Sequence, residues 1–350
     1  MSNRFRKLNM EKMEDRQMMA GDVTAFVSNG NLFLNEAAGQ AGLDNAVSIM
    51  RLSDSKVRVT GMPTLTDGTI SKINGKSFQD FNVGIPFINP NGSLFVNFGG
   101  GSDVVVTAPV GGQLKFNQIN IDVAAPPIVA TRTTSVIPTF TRPDNDTVFL
   151  ERFQTRGNVS IKTGDGADSV TVLNGLIGNI GATPKNLSIN TGAGADFVRV
   201  RSTVENTLIT GTLDVQTFSS LTEVDRDDVL FEKIGVQGDA HVRTGGGIDT
   251  ITMTNVGVSH NLDFDAGSGG DTATLDGVSA VDSLMAHLGE GDDTLNTKNL
   301  FTKNLTLAGD GGFDRLVKQA DPFFTGKRTQ SGWELINGIP AGVFDGLLTR

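Results

Sequence analysis

The chain has 350 residues, a formal charge of −10, 43 glycines and neither cysteine nor tyrosine. Disulfides are therefore excluded, and no run of roughly 18 apolar residues offers a membrane-spanning helix. The acidic balance, without a concentrated basic surface, also excludes nucleic acid as a partner.

Residues 1–21 differ in character from the rest. Arg4, Arg6, Lys7, Lys12 and Arg16 are interspersed with Glu11, Glu14 and Asp15 ahead of Met18-Met19-Ala20-Gly21. The segment lacks the apolar stretch of roughly 7–15 residues that a secretory signal peptide carries. By pattern alone it is a disordered or weakly helical leader.

From Asp22 the pattern turns to period two. Val23, Ala25 and Val27 alternate before Asn29-Gly30, and Leu32 and Leu34 alternate after it, which predicts a hairpin. Val57 and Val59 precede Gly61, and Ile70 and Ile73 lead into Asn74-Gly75. Residues 22–93 are read as N-terminal coils and cap, because terminal repeats are atypical and must hide an open edge.

Residues 94–320 carry the repeat. Leu94, Val96 and Phe98 lead into Gly99-Gly100-Gly101-Ser102-Asp103, and related turns end at Asp168, Asp196, Asp249, Asp271 and Asp293. Degraded copies end at Asp146 and Asp227, and the turn ending at Asp314 keeps its last glycine and the Asp but has Asp310 where the first glycine belongs. Apolar residues recur seven and nine positions before the Asp, as in Ile161 and Val159, and two and four after it, as in Val170 and Val172. Short strands with one apolar face therefore flank each glycine turn.

Most anchors are 21 or 22 residues apart, and the 43-residue interval from Asp103 to Asp146 is read as two coils. The intervals ending at Asp196 and Asp227 are longer by 6 and 9, and the surplus is expected in surface loops. The proline- and threonine-rich stretch 125–143 is likewise read as a long surface loop. The predicted fold is all-β, a parallel β-solenoid (β-helix) with coils of about 22 residues. An antiparallel sandwich with glycine hairpins also alternates every second residue, but it has no reason to hold this step from Asp227 to Asp314. Residues 321–350 depart from the repeat and hold Phe323, Phe324, Trp333, Leu335 and Ile336, an apolar cap or tail for the last coil.

Stacking such turns brings Asp249, Asp271, Asp293 and Asp314 into a column with a spacing of about 4.8 Å. Like carboxylates so placed repel, and Ca2+ held by carboxylate and carbonyl oxygens would relieve them. These four are the candidate metal ligands. The alternative is that each Asp accepts a hydrogen bond within its own turn and needs no ion. Further acidic residues vary from copy to copy: Asp165, Glu290 and Asp292 are present, whereas Ala193, Gly246 and Ser268 hold the equivalent places in other turns. No catalytic set emerges. Arg199, Arg201 and Arg243 are candidate bases for a polysaccharide lyase if outward-facing, and His241, His260 and His287 lack zinc-ligand spacing.

Two resemblances add to this. Met10-Glu11-Lys12-Met13-Glu14-Asp15-Arg16-Gln17-Met18-Met19-Ala20-Gly21 resembles the leader of large surface or exported proteins of planctomycete bacteria. There a Leu-Glu-Asp-Arg-type core is followed by two leucines and alanine; methionines stand for the leucines here. The resemblance implies export to the periplasm, the cell surface or the extracellular space. Gly289-Glu290-Gly291-Asp292-Asp293-Thr294-Leu295 resembles the repeat of the calcium-binding β-roll toxins and proteases, but with one such turn per coil only one column of sites can form. The expected function is a non-catalytic exported scaffold or adhesion protein. A calcium-dependent module for a surface glycan or another surface protein is the alternative, and a β-helix lyase or hydrolase comes third.

Overall fold

The computed structural model describes residues 21–340 except 41, 85–91, 109–112, 125–143, 180, 205, 219–223 and 320–321. The leader, the proline-rich stretch and the last ten residues lie outside the described residues. The described chain is all-β and contains no helix.

Three ladders of parallel strands run through the molecule. One follows the Asp anchors: Ala46–Ser53, Val104–Ala108, Thr147–Glu151, Ser169–Leu173 and Phe197–Arg201 pair in succession, and the series continues to Arg315–Lys318 and Leu335–Ile336. A second runs from Leu114–Phe116 through Phe153–Thr155 to Phe323–Phe324. The third precedes the glycine turns and runs from Asn31–Glu36 through Leu94–Asn97 and Ile119–Asp122 to Arg328–Ser331. From Asp228 onwards the strands of the first ladder pair in a constant 22-residue step as far as Lys298, for example Val229 with Ile251 and Ile251 with Ala273. The inward residues of all three ladders meet in one core, in which Phe98, Phe116, Phe153, Phe231 and Phe264 are fully buried. Each such side chain contributes about 1.5–3 kcal/mol by leaving water.

The bend from the first ladder to the second uses a residue in the left-handed region six positions after the Asp. Asn174, Asn255 and Asn299 sit there at φ 54°, and Arg152 and Lys233 hold the same conformation. Asn adopts this conformation more readily than most residues because its short amide bonds locally. The Asn at this position went unused in the sequence reading.

The pairings overturn one expectation. Val104 pairs directly with Thr147, so the interval from Asp103 to Asp146 is one step of the ladder, not two coils. Its length equals two repeats by coincidence, since loop length is almost unconstrained while register is not. The surplus residues ending at Asp196 lie between Leu176–Ile177 and Leu187–Asn190. Those ending at Asp227 are divided between the two bends flanking Thr207–Ile209 and Leu213–Gln216.

The N-terminal end is covered by antiparallel strands. Val23–Ser28 pairs with Asn31–Glu36 through Asn29-Gly30, both at positive φ, as a type I′ turn requires. Lys56–Gly61 and Phe78–Asn82 add an antiparallel layer beside Ala46–Ser53. Outside, Phe26, Phe33 and Phe95 stack with centroids 5.1 and 4.9 Å apart. Near the other end Trp333 is buried and donates its indole N–H to the Leu307 carbonyl at 3.1 Å.

Candidate functional site

The glycine turn brings each coil back to the first ladder, and the Asp that closes it points into the molecule. Asp249, Asp271, Asp293 and Asp314 are all buried, as are Asp103, Asp146, Asp168, Asp196 and Asp227. The backbone N–H of each donates to Oδ1 of the Asp one coil further on, at 2.7–3.0 Å, in an unbroken series from Asp103 to Asp314. Asn45 N–H heads the series by donating to Asp103, and Glu334 ends it by accepting from Asp314 N–H. The carboxylates thus extend the parallel ladder through a corner where the main chain alone would leave an N–H without a partner. Asn45 and Glu334 were missed in the sequence because neither is an Asp; Glu334 follows Gly332 at the offset that Gly312 has from Asp314, but only the register places both in line.

The second oxygen is the unusual part. No donor reaches Oδ2 of Asp103, Asp146, Asp168, Asp196, Asp249, Asp271, Asp293 or Asp314, whereas Asp227 Oδ2 accepts from Thr217 Oγ1 at 2.5 Å. Burial is the main cause of a rise in the pKa throughout the column. It pushes Asp146 up to about 11, Asp196 and Asp227 to about 8, Asp168 and Asp271 to about 7 and Asp293 to about 6. Asp103, Asp249 and Asp314 move the same way. The charges acting on the column are carboxylates: Asp144 and Asp103 on Asp146, Asp249 and Asp225 on Asp227, Asp314 and Asp292 on Asp293.

Threonines at the start of the turn temper the rise at Asp168 and Asp249. Yet a hydroxyl has one proton to give, and Thr163 and Thr244 aim theirs at the carbonyls of Thr191 and Ala266 in the next coil. Burial thus favours the protonated form along the column, while these hydroxyls favour the carboxylate at Asp168 and Asp249.

This gives a direct test. Asp271→Ala leaves the buried Asp249 N–H without an acceptor and is expected to cost about 1–3 kcal/mol, whereas Asp271→Asn keeps the acceptor and supplies an N–H in place of the acid proton. Denaturant unfolding at pH 7 should show a large loss for the first and less than about 1 kcal/mol for the second.

The other candidates are not brought together. Arg199 lies over the Phe197 ring at 4.7 Å and Arg201 is 4.0 Å from Glu232, both on the first ladder, whereas Arg243 is on the third ladder, 3.7 Å from Asp214 of the neighbouring strand. Each histidine faces an Asp one coil on: His241 with Asp263, His260 with Asp282 and His287 with Asp310, at 4.0, 3.2 and 3.3 Å. Among the described residues no three acidic or histidine side chains converge to hold one ion. Calcium at Asp249, Asp271, Asp293 or Asp314 would therefore take one Oδ2 from the column and complete its shell with other oxygens. No protein-family model matches the chain, and no curated protein or solved structure matches it either.

Proposed function

We propose that the chain is a parallel β-solenoid acting as a non-catalytic scaffold or adhesion element, exported to the cell surface. The observation that carries this is the unbroken aspartate series from Asn45 to Glu334. A single interaction repeated at every coil serves stacking, and it spans eleven levels, or about 48 Å at a step of about 4.8 Å. The outward positions support the same reading, since many are Ser, Thr, Asn or Asp and some charged groups pair between neighbouring coils, as Arg201 with Glu232 and Lys298 with Asp276. Export rests on the leader resemblance at residues 10–21.

The test is fractionation of a planctomycete host expressing the tagged full chain and a variant lacking residues 1–21. The full chain is expected in the envelope or medium and the truncated one in the cytosol; equal distribution overturns the export reading. A second reading, calcium-dependent binding of a surface glycan or protein, is favoured by the unpartnered Oδ2 atoms of Asp249, Asp271, Asp293 and Asp314 and by the acidic Glu290, Asp292 and Asp310 nearby.

A further inference from the structure

On the second ladder, far from the aspartate corner in sequence, a recess of about 120 Å³ is lined by Lys115, Phe116, Gln154, Arg156 and Asn179. The parallel register places Lys115 opposite Gln154. Arg156 follows two residues later on the same outward side, so it lies diagonal to Lys115 across adjacent coils. Its backbone is anchored there, because Arg156 N–H donates to the carbonyls of Phe116 and Asn117 at 3.3 and 3.1 Å.

Phe116 is buried and forms the floor, so the polar character comes from one ammonium, one guanidinium and two side-chain amides. All four can donate, and among the described residues the lining holds no carboxylate. That is notable in a chain of net charge −10, in which Arg58, Arg243 and Lys298 each face an Asp. Two cations brought together with donor amides and no acid repel each other unless an anion joins them. A guanidinium fork with a nearby ammonium suits an oxyanion of two or more acceptor oxygens.

We infer that this recess is a binding site for a tetrahedral oxyanion of the sulfate or phosphate class, either free or as the ester group of a saccharide. The four donor groups come from three successive steps of the ladder, and an anion with three or four acceptor oxygens can engage more of them than a two-oxygen carboxylate. The inference does not depend on the scaffold reading, since it concerns one local constellation and not the stack.

The experiment is calorimetric titration of the full chain with sodium sulfate, with ionic strength held constant by sodium chloride, and in parallel with glucosamine 6-sulfate. Saturable one-to-one binding is expected, weakened at least tenfold in the double variant Lys115→Gln/Arg156→Gln. Both side chains are exposed, so the melting curve of that variant should match the parent and serve as the folding control. Tighter binding of the ester assigns the site to a sulfated glycan; equal binding assigns it to the free anion. Absence of saturation with both probes, or an unchanged affinity in the folded double variant, overturns the inference.

Discussion

Raising the pH from 5 to 9 is expected to lower the stability of this protein steeply, the opposite of ordinary acid denaturation. The carboxyls of the column have folded-state pKa values above their unfolded ones: about 6 for Asp293, about 7 for Asp168 and Asp271, about 8 for Asp196 and Asp227. The folded chain therefore holds protons that the unfolded chain has already released above pH 4. The resulting stability is fully present below the unfolded pKa and is lost progressively from about pH 4 up to the folded values. The loss is steepest where all five groups are still protonated in the folded chain and complete for these groups by about pH 8. Each group that ionises in this window contributes a slope of about 1.4 kcal/mol per pH unit, and the coupled column titrates as a set. Asp80 and Asp239 move the other way, but they are isolated surface groups held down by Arg58 and by the Asn261 N–H.

Thermal melts should show the highest melting temperature at the acid end, near pH 4, and a fall of many degrees by pH 8. A flat profile would show that the column is ionised and compensated throughout. The same series with added Ca2+ separates the two readings of the corner. A calcium-dependent rise confined to pH values above about 7, where the carboxyls ionise, supports ion binding at Asp249–Asp314. No rise at any pH ends that reading and leaves the protonated column intact.

The second large effect is expected from the glycine two residues before the Asp. At Gly269 φ is +136°, and a Cβ built there would lie 1.4 Å from the Gly247 carbonyl oxygen of the preceding coil. No side-chain movement relieves that contact, because both partners are backbone. Gly269→Ala is expected to cost about 3 kcal/mol or more and to release the coils on its C-terminal side first, since each coil is held by its neighbours. Gly257→Ala is the control: its Cβ would meet only Ser279 Oγ, at 3.6 Å, and stability should change by less than about 1 kcal/mol. Hydrogen exchange on the two variants distinguishes local fraying beyond Gly269 from a uniform loss.

The residues that face inward were legible because period two is a local property: Val170, Val172, Ile189 and Ile251 declare their side through their immediate neighbours. The hairpin at Asn29-Gly30 was legible for the same reason, as a turn that demands two positive φ values names its own residues. The step of 22 residues, and with it a common column for Asp249, Asp271 and Asp293, followed from counting alone. By contrast, only the tertiary structure decided which strand lies on which. It made the interval from Asp103 to Asp146 a single coil and put Asn45 and Glu334 at the ends of the aspartate series. It also showed that one oxygen of each carboxylate accepts from the N–H one coil away, and it set Lys115 beside Gln154 and Arg156. Each of these depends on contacts between residues some 20–60 positions apart. A local pattern carries the side a residue faces, but the length of an intervening loop, which costs little free energy, hides the partner it will meet.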